Sequence, residues 1–313
     1  MVYLSVYPHI HNRGDYMKIA VVGLGNLGRS AAKIVKNMPD MELFGVFSRR
    51  KLSDTLHYDE ILKYKNDIDA LILCGGSAED LPVMTPFLAE HFNVVDSFDT
   101  HADIAKHYEN VNKYAKTGGK TALVSCGWDP GLFSLMRIYG SAILPDGKTR
   151  TYWGKGVSQG HSDAIRKIDG VIDARQYTIP DYNYEGENPY KMHRRECFVV
   201  AENNADKSEI EHKIKTMPKY FAGYDTAVQF VSVDELRKNH SGFPHGGRVV
   251  CDNGESAMEL RLKLKSNPDF TASILVACAR AAYRLNSEGK TGAFTMADVP
   301  VRYLARGNIL DMM

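Results

Sequence analysis

The sequence predicts an α/β chain: a doubly wound parallel sheet in its first part, then a second α+β domain carrying a mixed or antiparallel sheet. Three observations predict this. Between Lys18 and Ser125, short apolar strands alternate with helical patterns of about 10–15 residues, the rhythm of βαβ units. The run Asp69–Cys74 is apolar almost throughout and bounded by Gly75-Gly76, as expected of a strand covered on both faces. After Ser125 the strands lengthen, and Asp252-Asn253-Gly254 is a hairpin signal.

Taken in order, Lys18-Ile19-Ala20-Val21-Val22 is a β-branched strand that ends in a glycine-rich turn. Arg29–Met38 has helical periodicity and stops at Pro39-Asp40, and Glu42–Phe47 is the second strand. A helix over Leu81–His91, a strand at Asn93–Asp96, a helix over Ala102–Lys116 and a strand at Thr121–Ser125 complete the alternation. Asp129-Pro130 reads as a helix opening, since Asp accepts free amide hydrogens and Pro fits the first helical position. Strands follow at Val171–Ile179, Glu196–Ala201, Ala227–Val233, Arg248–Cys251 and Ser256–Lys265, interrupted by a helix over Asp206–Met217. The chain closes with Asn267-Pro268-Asp269, an apolar helix over Phe270–Leu285 and a short tail. The expected division is therefore 17–126 for the first domain, 127–266 for the second, and 267–313 as a helix and tail packing back on the first. Residues 1–16 fit no element and read as a frayed leader, with Met17 as an alternative start.

Hydrophobic residues make up 44% and charged residues 25% of the 313, a globular balance that excludes disorder, collagen and coiled coil as the main theme. Net charge is 39 − 38 = +1, so no electrostatic footprint for nucleic acid or an anionic membrane is present. No apolar run of about 20 residues could span a bilayer. The five cysteines (Cys74, Cys126, Cys197, Cys251, Cys278) are scattered and form no C-x-x-C pair, so neither a disulfide framework nor a metal site is expected. The N-terminus lacks the features of a signal peptide, and a reducing cytoplasm is the natural setting. No serine-hydrolase arrangement is expected.

Gly23-Leu24-Gly25-Asn26-Leu27-Gly28 matches G-x-G-x-x-G directly after a strand and at the opening of a helix. That context is what a pyrophosphate needs: a tight turn, close backbone approach, and a helix N-terminus facing the phosphate charge. A purely structural glycine turn is the alternative. About 20 residues on, an NAD site places an acid for the ribose 2′-hydroxyl. Here stand Ser48-Arg49-Arg50, with no acid. Two guanidinium groups and a hydroxyl suit a 2′-phosphate, so NADP is expected over NAD, although a solvated basic loop would look the same.

Later strand ends supply Cys74-Gly75-Gly76-Ser77, Asp96-Ser97-Phe98-Asp99 and Cys126-Gly127-Trp128-Asp129-Pro130. In a Rossmann-type sheet, ligands lie outside these carboxyl ends. Asp99 and Asp129 are therefore candidates to face a substrate ammonium group, with a turn residue and a helix cap as their plain alternatives. The second region holds Trp153-Gly154, Ser158-Gln159-Gly160-His161-Ser162-Asp163, Thr178, His193-Arg194-Arg195 and Phe243-Pro244-His245-Gly246-Gly247. Arg195, at a strand start, could clamp a carboxylate bidentately.

With these residues assembled, the chain resembles the meso-diaminopimelate dehydrogenase family from about Met17 to its C-terminal region. The blocks that carry the resemblance are Gly23–Ser30, Phe47–Arg50, Val124–Gly131, Ser158–Ala164, Arg195–Val200, Pro244–Gly247 and Asn267–Ser273, in that order. The resemblance implies an NADP-dependent, reversible oxidative deamination of the D-centre of meso-2,6-diaminopimelate to L-2-amino-6-oxopimelate and ammonia, a step of lysine and diaminopimelate biosynthesis. It implies NADP contacts from Leu24–Leu27, Ser48–Arg50, Cys74–Ser77, Ser97–Asp99 and Cys126–Pro130, inside and beyond the Gly23–Gly28 fingerprint. It places substrate contacts on Asp99, Asp129, Trp153, Gln159, Gly160, Asp163, Thr178, Arg195, His245 and Asn267. Within that set, Arg195, Thr178 and His245 would grip the distal L-end, and Asp99 and Asp129 would orient the reacting amine. A homodimer built through the second region is implied as well. Other NADP-dependent oxidoreductases of this architecture (dihydrodipicolinate reductase-like, or a different amino-acid dehydrogenase) remain alternatives, as does a non-catalytic NADP-sensing protein.

Overall fold

The computed structural model describes residues 16–313 apart from Glu187, Lys219, Phe243 and Asn308. The expectation of a frayed leader thus falls, up to Asp15, outside the described residues. The chain divides into two compact units, one formed by residues up to Gly131 together with Thr271–Met313, the other by Leu132–Phe270.

The first unit begins with β1 (Met17–Val22), α1 (Asn26–Lys36), β2 (Met41–Ser48), β3 (Leu56–His57), β4 (Ala70–Leu73), α2 (Leu81–Ala89), β5 (Val94–Asp96), α3 (Ile104–Gly118) and β6 (Thr121–Leu123). Every residue of β4 and β5 is buried, which is why their sequences are apolar runs without alternation. In α1 the buried face is Gly28, Ala31, Ala32 and Val35, small enough for close approach to the sheet, while Lys33 and Lys36 sit in the last turn.

The second unit comprises α4 (Leu132–Ile143), β7 (Lys148–Trp153), β8 (Gly156–Val157), α5 (Gln159–Arg166), β9 (Val171–Pro180), α6 (Pro189–Met192), β10 (His193–Ala201), α7 (Lys207–Thr216), β11 (Thr226–Phe230), α8 (Val233–Asn239), β12 (His245–Asp252) and β13 (Ala257–Leu264). Its strands form a four-stranded sheet, β11-β10-β9-β8, and a three-stranded one, β13-β12-β7. The first is mixed, because β10 and β11 run parallel; the second is antiparallel throughout. Asp252 pairs with Ala257 across the expected hairpin.

The chain ends with α9 (Asn267–Ser287), which enters the first unit from Thr271, and β14 (Gly292–Phe294). All strands of the first sheet are parallel, in the order β14-β6-β5-β4-β1-β2-β3. The order reverses direction at β1, which puts the ligand crevice outside the carboxyl ends of β1 and β4.

Two expectations are corrected and one strand went unread. Within the segment read as a short tail, β14 is the sheet's outer strand, paired with β6 from Gly292↔Thr121 to Phe294↔Leu123. Asp129-Pro130 does not open a helix. Gly131 takes φ +129°, which no helix allows, and bridges back to Gly127, so residues 127–131 form a tight turn and α4 starts at Leu132. The strand expected over Ala227–Val233 stops at Phe230, because Ser232 caps α8 through the Glu235 amide.

Candidate active site

The fingerprint forms the predicted turn. Gly23 has φ +102°, and a Cβ there would lie 2.9 Å from the Cys74 carbonyl oxygen. A Cβ on Gly28 would lie 1.9 Å from the Gly23 carbonyl oxygen, so this turn closes only with glycine at both positions. Gly25, the N-cap of α1, offers no side-chain cap, and no acid occupies the first turn. A Cβ on Gly25 would meet nothing within 4 Å, so the space beside the free amides is open to an anion.

Beside this turn is a cavity of about 440 Å³. Of the expected cofactor residues it takes Gly23, Leu24, Gly25, Ser48, Arg49, Arg50, Cys74, Gly75 and Gly76. Its volume, glycine cradle and guanidinium groups fit the adenosine and phosphate part of a dinucleotide. Asn26, Leu27 and Gly28 form the first turn of α1. Ser48 Oγ accepts the Arg50 amide at 3.1 Å. Burial pushes the Cys74 thiol up to about 12, so it stays protonated.

Sequence reasoning missed Asp80, which also lines the cavity. Its carboxylate accepts the Gly76 amide at 2.8 Å and Arg49 Nη2 at 2.6 Å. The Gly76 hydrogen bond, working against partial burial and joined by Arg49, holds Asp80 below its ordinary range. Arg49 is therefore an anchored cation, whereas sequence reasoning left open a loose basic loop. The pair spans 31 residues of chain and has no local signal.

At the next strand ends, Ser77 Oγ accepts the Asp99 amide at 2.8 Å, which links the loops after β4 and β5. Asp99 is exposed and Ser97 half-buried. Phe98, expected at the cofactor, turns its ring into the core against His107, with centroids 4.2 Å apart. Cys126 and Trp128 are buried, and Asp129 lies in the 127–131 turn.

The second unit builds a separate polar cluster. Register places Arg195 opposite Thr178 on β9, and Gly156 opposite Thr178 on the other side. Close packing of Gly156 on His245 brings the start of β12 to the same place: a Cβ on Gly156 would lie 2.5 Å from His245 Cα. Arg195 Nη1 donates to Thr178 Oγ1 at 2.5 Å, and its guanidinium lies 4.1 Å from the centre of the Tyr224 ring. Burial lowers the guanidinium, with Tyr224 pulling the other way, and it remains a cation. Trp153 donates its backbone N–H to His193 Nε2 at 2.8 Å and packs its ring against that imidazole.

Three imidazoles ring the cluster. Burial, reinforced by Arg195, lowers His161 to about 4, with His245 contributing further. Burial and then Arg195 lower His193 to about 4. Burial also lowers His245, against a backbone hydrogen bond at Gly246. All three are neutral near pH 7, so His245 offers hydrogen bonds rather than a positive charge. Tyr224 and Gln176 were not singled out. Gln176, two positions before Thr178 on the same face of β9, points Nε2 at Thr178 Oγ1 at 3.4 Å, and period-two reading of the strand could have found it.

Gln159, Gly160 and Asp163 lie exposed on α5, and Asp163 pairs with Arg166 rather than joining the Arg195 cluster. Asn267 is the first residue of α9. Gly156-Val157-Ser158-Gln159-Gly160 spells G-x-S-x-G, which qualifies the expectation of no hydrolase motif. The structure gives it another role: Ser158 has ordinary extended angles (φ −87°, ψ 114°) and caps α5, its Oγ meeting the His161 amide and Nδ1. Among the described residues no group of three or more His, Cys, Asp or Glu could hold a metal, and no helix is long and apolar enough to cross a membrane.

The parallel sheet, its glycine turn and the adjoining cavity define a dinucleotide-binding protein of the Rossmann class. Residues 127–266 match the family model described as "Diaminopimelic acid dehydrogenase C-terminal domain". A meso-diaminopimelate D-dehydrogenase of Ureibacillus thermosphaericus is 51% identical, with 92% of this chain and 95% of that one covered. The Corynebacterium glutamicum DAP dehydrogenase in complex with DAP has a TM-score of 0.88 at 43% identity, covering 95% of this chain and 98% of that one. An engineered D-amino acid dehydrogenase bound to NADP+ has a TM-score of 0.85 at 41% identity, with the same coverage. The chain belongs to the meso-diaminopimelate dehydrogenase family.

Proposed function

We propose that this chain catalyses the NADP-dependent, reversible oxidative deamination of the D-centre of meso-2,6-diaminopimelate, yielding L-2-amino-6-oxopimelate and ammonia. The observation that carries the reading is whole-length kinship: 51% identity to a meso-diaminopimelate D-dehydrogenase over 92% of the chain. NADP+, which the glycine turn and the Ser48–Arg50 loop would hold, would supply the hydride acceptor for the D-centre. Gly23–Gly28 receive the pyrophosphate, and Ser48, Arg50 and the Asp80-anchored Arg49 receive the 2′-phosphate. We assign Cys74–Ser77, Ser97–Asp99 and Cys126–Pro130 to the remainder of the cofactor, and Asp99 and Asp129 to orienting the reacting amine.

In the second unit, Arg195 and Thr178 hold the distal carboxylate and His245 adds a neutral hydrogen-bonding group. One guanidinium among neutral imidazoles supports a site for a single carboxylate. Trp153, Gln159, Gly160, Asp163 and Asn267 complete the assigned substrate contacts. Chemistry of this kind is mostly positioning, since the C–H must face the ring while the other end is anchored. We assign the unit containing 17–126 to the cofactor, and 127–266 to the substrate and to a homodimer interface. A reducing cytoplasm suits its five free cysteines.

The test is initial rates of nicotinamide reduction with NADP+ and NAD+, offering the meso, LL and DD isomers separately. Turnover of the meso isomer with NADP+, and little of LL, is expected. Tight NADPH binding without turnover of any isomer would replace the enzyme with a cofactor-sensing protein. Light scattering after gel filtration tests the dimer.

A further inference from the structure

Behind the strand-end loops of the first unit lies a polar pair that the assignments above leave unused. Asp96, the last residue of β5, is wholly buried, and His107 of α3 is 5% exposed. Asp96 Oδ2 meets His107 Nε2 at 2.7 Å. Oδ1 accepts the backbone N–H of Phe98 at 3.1 Å and that of Ser125 at 2.8 Å. Oδ1 is taken by two backbone donors and Oδ2 is left to the imidazole, so the carboxylate form of Asp96 pairs with the tautomer of His107 that carries its proton on Nε2. The His107 ring lies flat on Phe98, at 4.2 Å and 16°. A buried carboxylate is tolerated only when donors converge on it, and here the three donors come from three separate stretches of chain.

Two of those stretches lead to the carboxylates assigned to the reacting amine. Phe98 immediately precedes Asp99, whose own amide is held by Ser77. Ser125 begins the segment that runs through the 127–131 turn to Asp129. Ser125 sits at φ +56°, a left-handed conformation that costs a non-glycine residue free energy. The hydrogen bond from its amide to Asp96 opposes that cost. One carboxylate thus fastens the starts of both loops, and His107 in turn fastens the carboxylate.

We propose that Asp96 and His107 are positioning residues, a buried clamp that sets the loops bearing Asp99 and Asp129 in their working register, touching neither substrate nor cofactor. The proposal rests on the assignment of Asp99 and Asp129 to the reacting amine. Without the His107 N–H, Oδ2 becomes an unpaired buried carboxylate oxygen. The carboxylate then turns toward water, and the Phe98 and Ser125 amides lose their fixed acceptor.

The test compares His107→Leu, which removes the donor, with His107→Gln, whose amide places an N–H where Nε2 stood. His107→Asn, too short to reach Oδ2, replaces the leucine variant if that one does not fold. His107→Leu is expected to lower kcat roughly 10–100-fold, because misplacement of reacting groups by about 1 Å costs that much. KM for NADP+ should change less than kcat, since the glycine turn and arginines are untouched and only the cofactor contacts of the Ser97–Asp99 and Cys126–Pro130 loops shift. Amide exchange at Phe98 and Ser125 should quicken while that at Val21 and Leu71, in β1 and β4, does not. His107→Gln should restore both readouts. Parental kcat in His107→Leu, a glutamine variant as slow as leucine, or exchange rising equally at Val21 and Leu71 would overturn the clamp. Asp99→Asn and Asp129→Asn are measured alongside. Parental rates in those two would refute the amine assignment instead, and the exchange readout would still decide whether the clamp exists.

Discussion

Arg195→Met separates the substrate reading from stability most sharply. The guanidinium spends one N–H on Thr178 and one face on Tyr224, and Nε is buried with no hydrogen-bond partner among the described residues. The remaining donors form a fork that suits a carboxylate. Each hydrogen bond to a charged group contributes about 1.5–3 kcal/mol, and two on one carboxylate are not fully additive. A loss of about 3–4 kcal/mol corresponds to a roughly 10²–10³-fold fall in kcat/KM for meso-diaminopimelate. A D-amino acid without a distal carboxylate should lose little, because it never used the fork. Folding should not suffer. Burial already lowers the guanidinium, so an apolar side chain of similar length removes a desolvation penalty along with the contacts. The assay is steady-state kinetics on both substrates together with a thermal melt. A kcat/KM for the meso isomer within about threefold of the parent would refute the clamp. So would an equal fall on both substrates.

Three further outcomes follow from the geometry. Replacing Arg49 and Arg50 together by Ser should raise KM for NADP+ roughly 10²-fold and leave KM for NAD+ nearly unchanged, measured as initial rates over cofactor concentration. His193 titrates near 4 when folded against 6.5 ordinarily, so its contribution is complete above about pH 6.5 and is lost as pH falls toward 4. Unfolding titrations across that window should show a slope of about 1.4 kcal/mol per pH unit from this residue, absent in His193→Gln. Arg280→Ala should destabilise the first unit by about 3–5 kcal/mol in chemical denaturation, because it strands a partly buried carboxylate. Arg280 grips Asp40 through Nε at 2.5 Å and Nη2 at 3.0 Å and also donates to the Leu304 carbonyl. Burial pushes the Asp40 carboxyl up, but Arg280 outweighs it and holds it low.

What could be read without the structure was local. The β1 and β4 runs announce buried parallel strands because both faces are covered, and the glycine turn announces itself because its spacing is set by two close approaches, at Gly23 and Gly28. Features set by distant partners stayed hidden. β14 is three residues long and owes its place to β6 and to Asn112, which accepts the Ala293 amide 181 positions away. Asp129-Pro130 carries every mark of a helix opening, yet the φ of Gly131 overrides them. Asp80 and His107 sit in unremarkable surroundings in sequence, and only the fold brings them to Arg49 and Asp96.

The charge of the second cluster shows how burial edits a composition. In sequence, Arg195, His193, His161 and His245 are four basic-type side chains with nothing to say which of them carry charge. In the fold, the same low dielectric that keeps Arg195 dry discharges the imidazoles around it, leaving one fixed cation. Thr178 Oγ1 accepts from Arg195 Nη1, and the Gln176 amide lies 3.4 Å from it. One guanidinium among neutral imidazoles suits one carboxylate, the assignment that Arg195→Met tests.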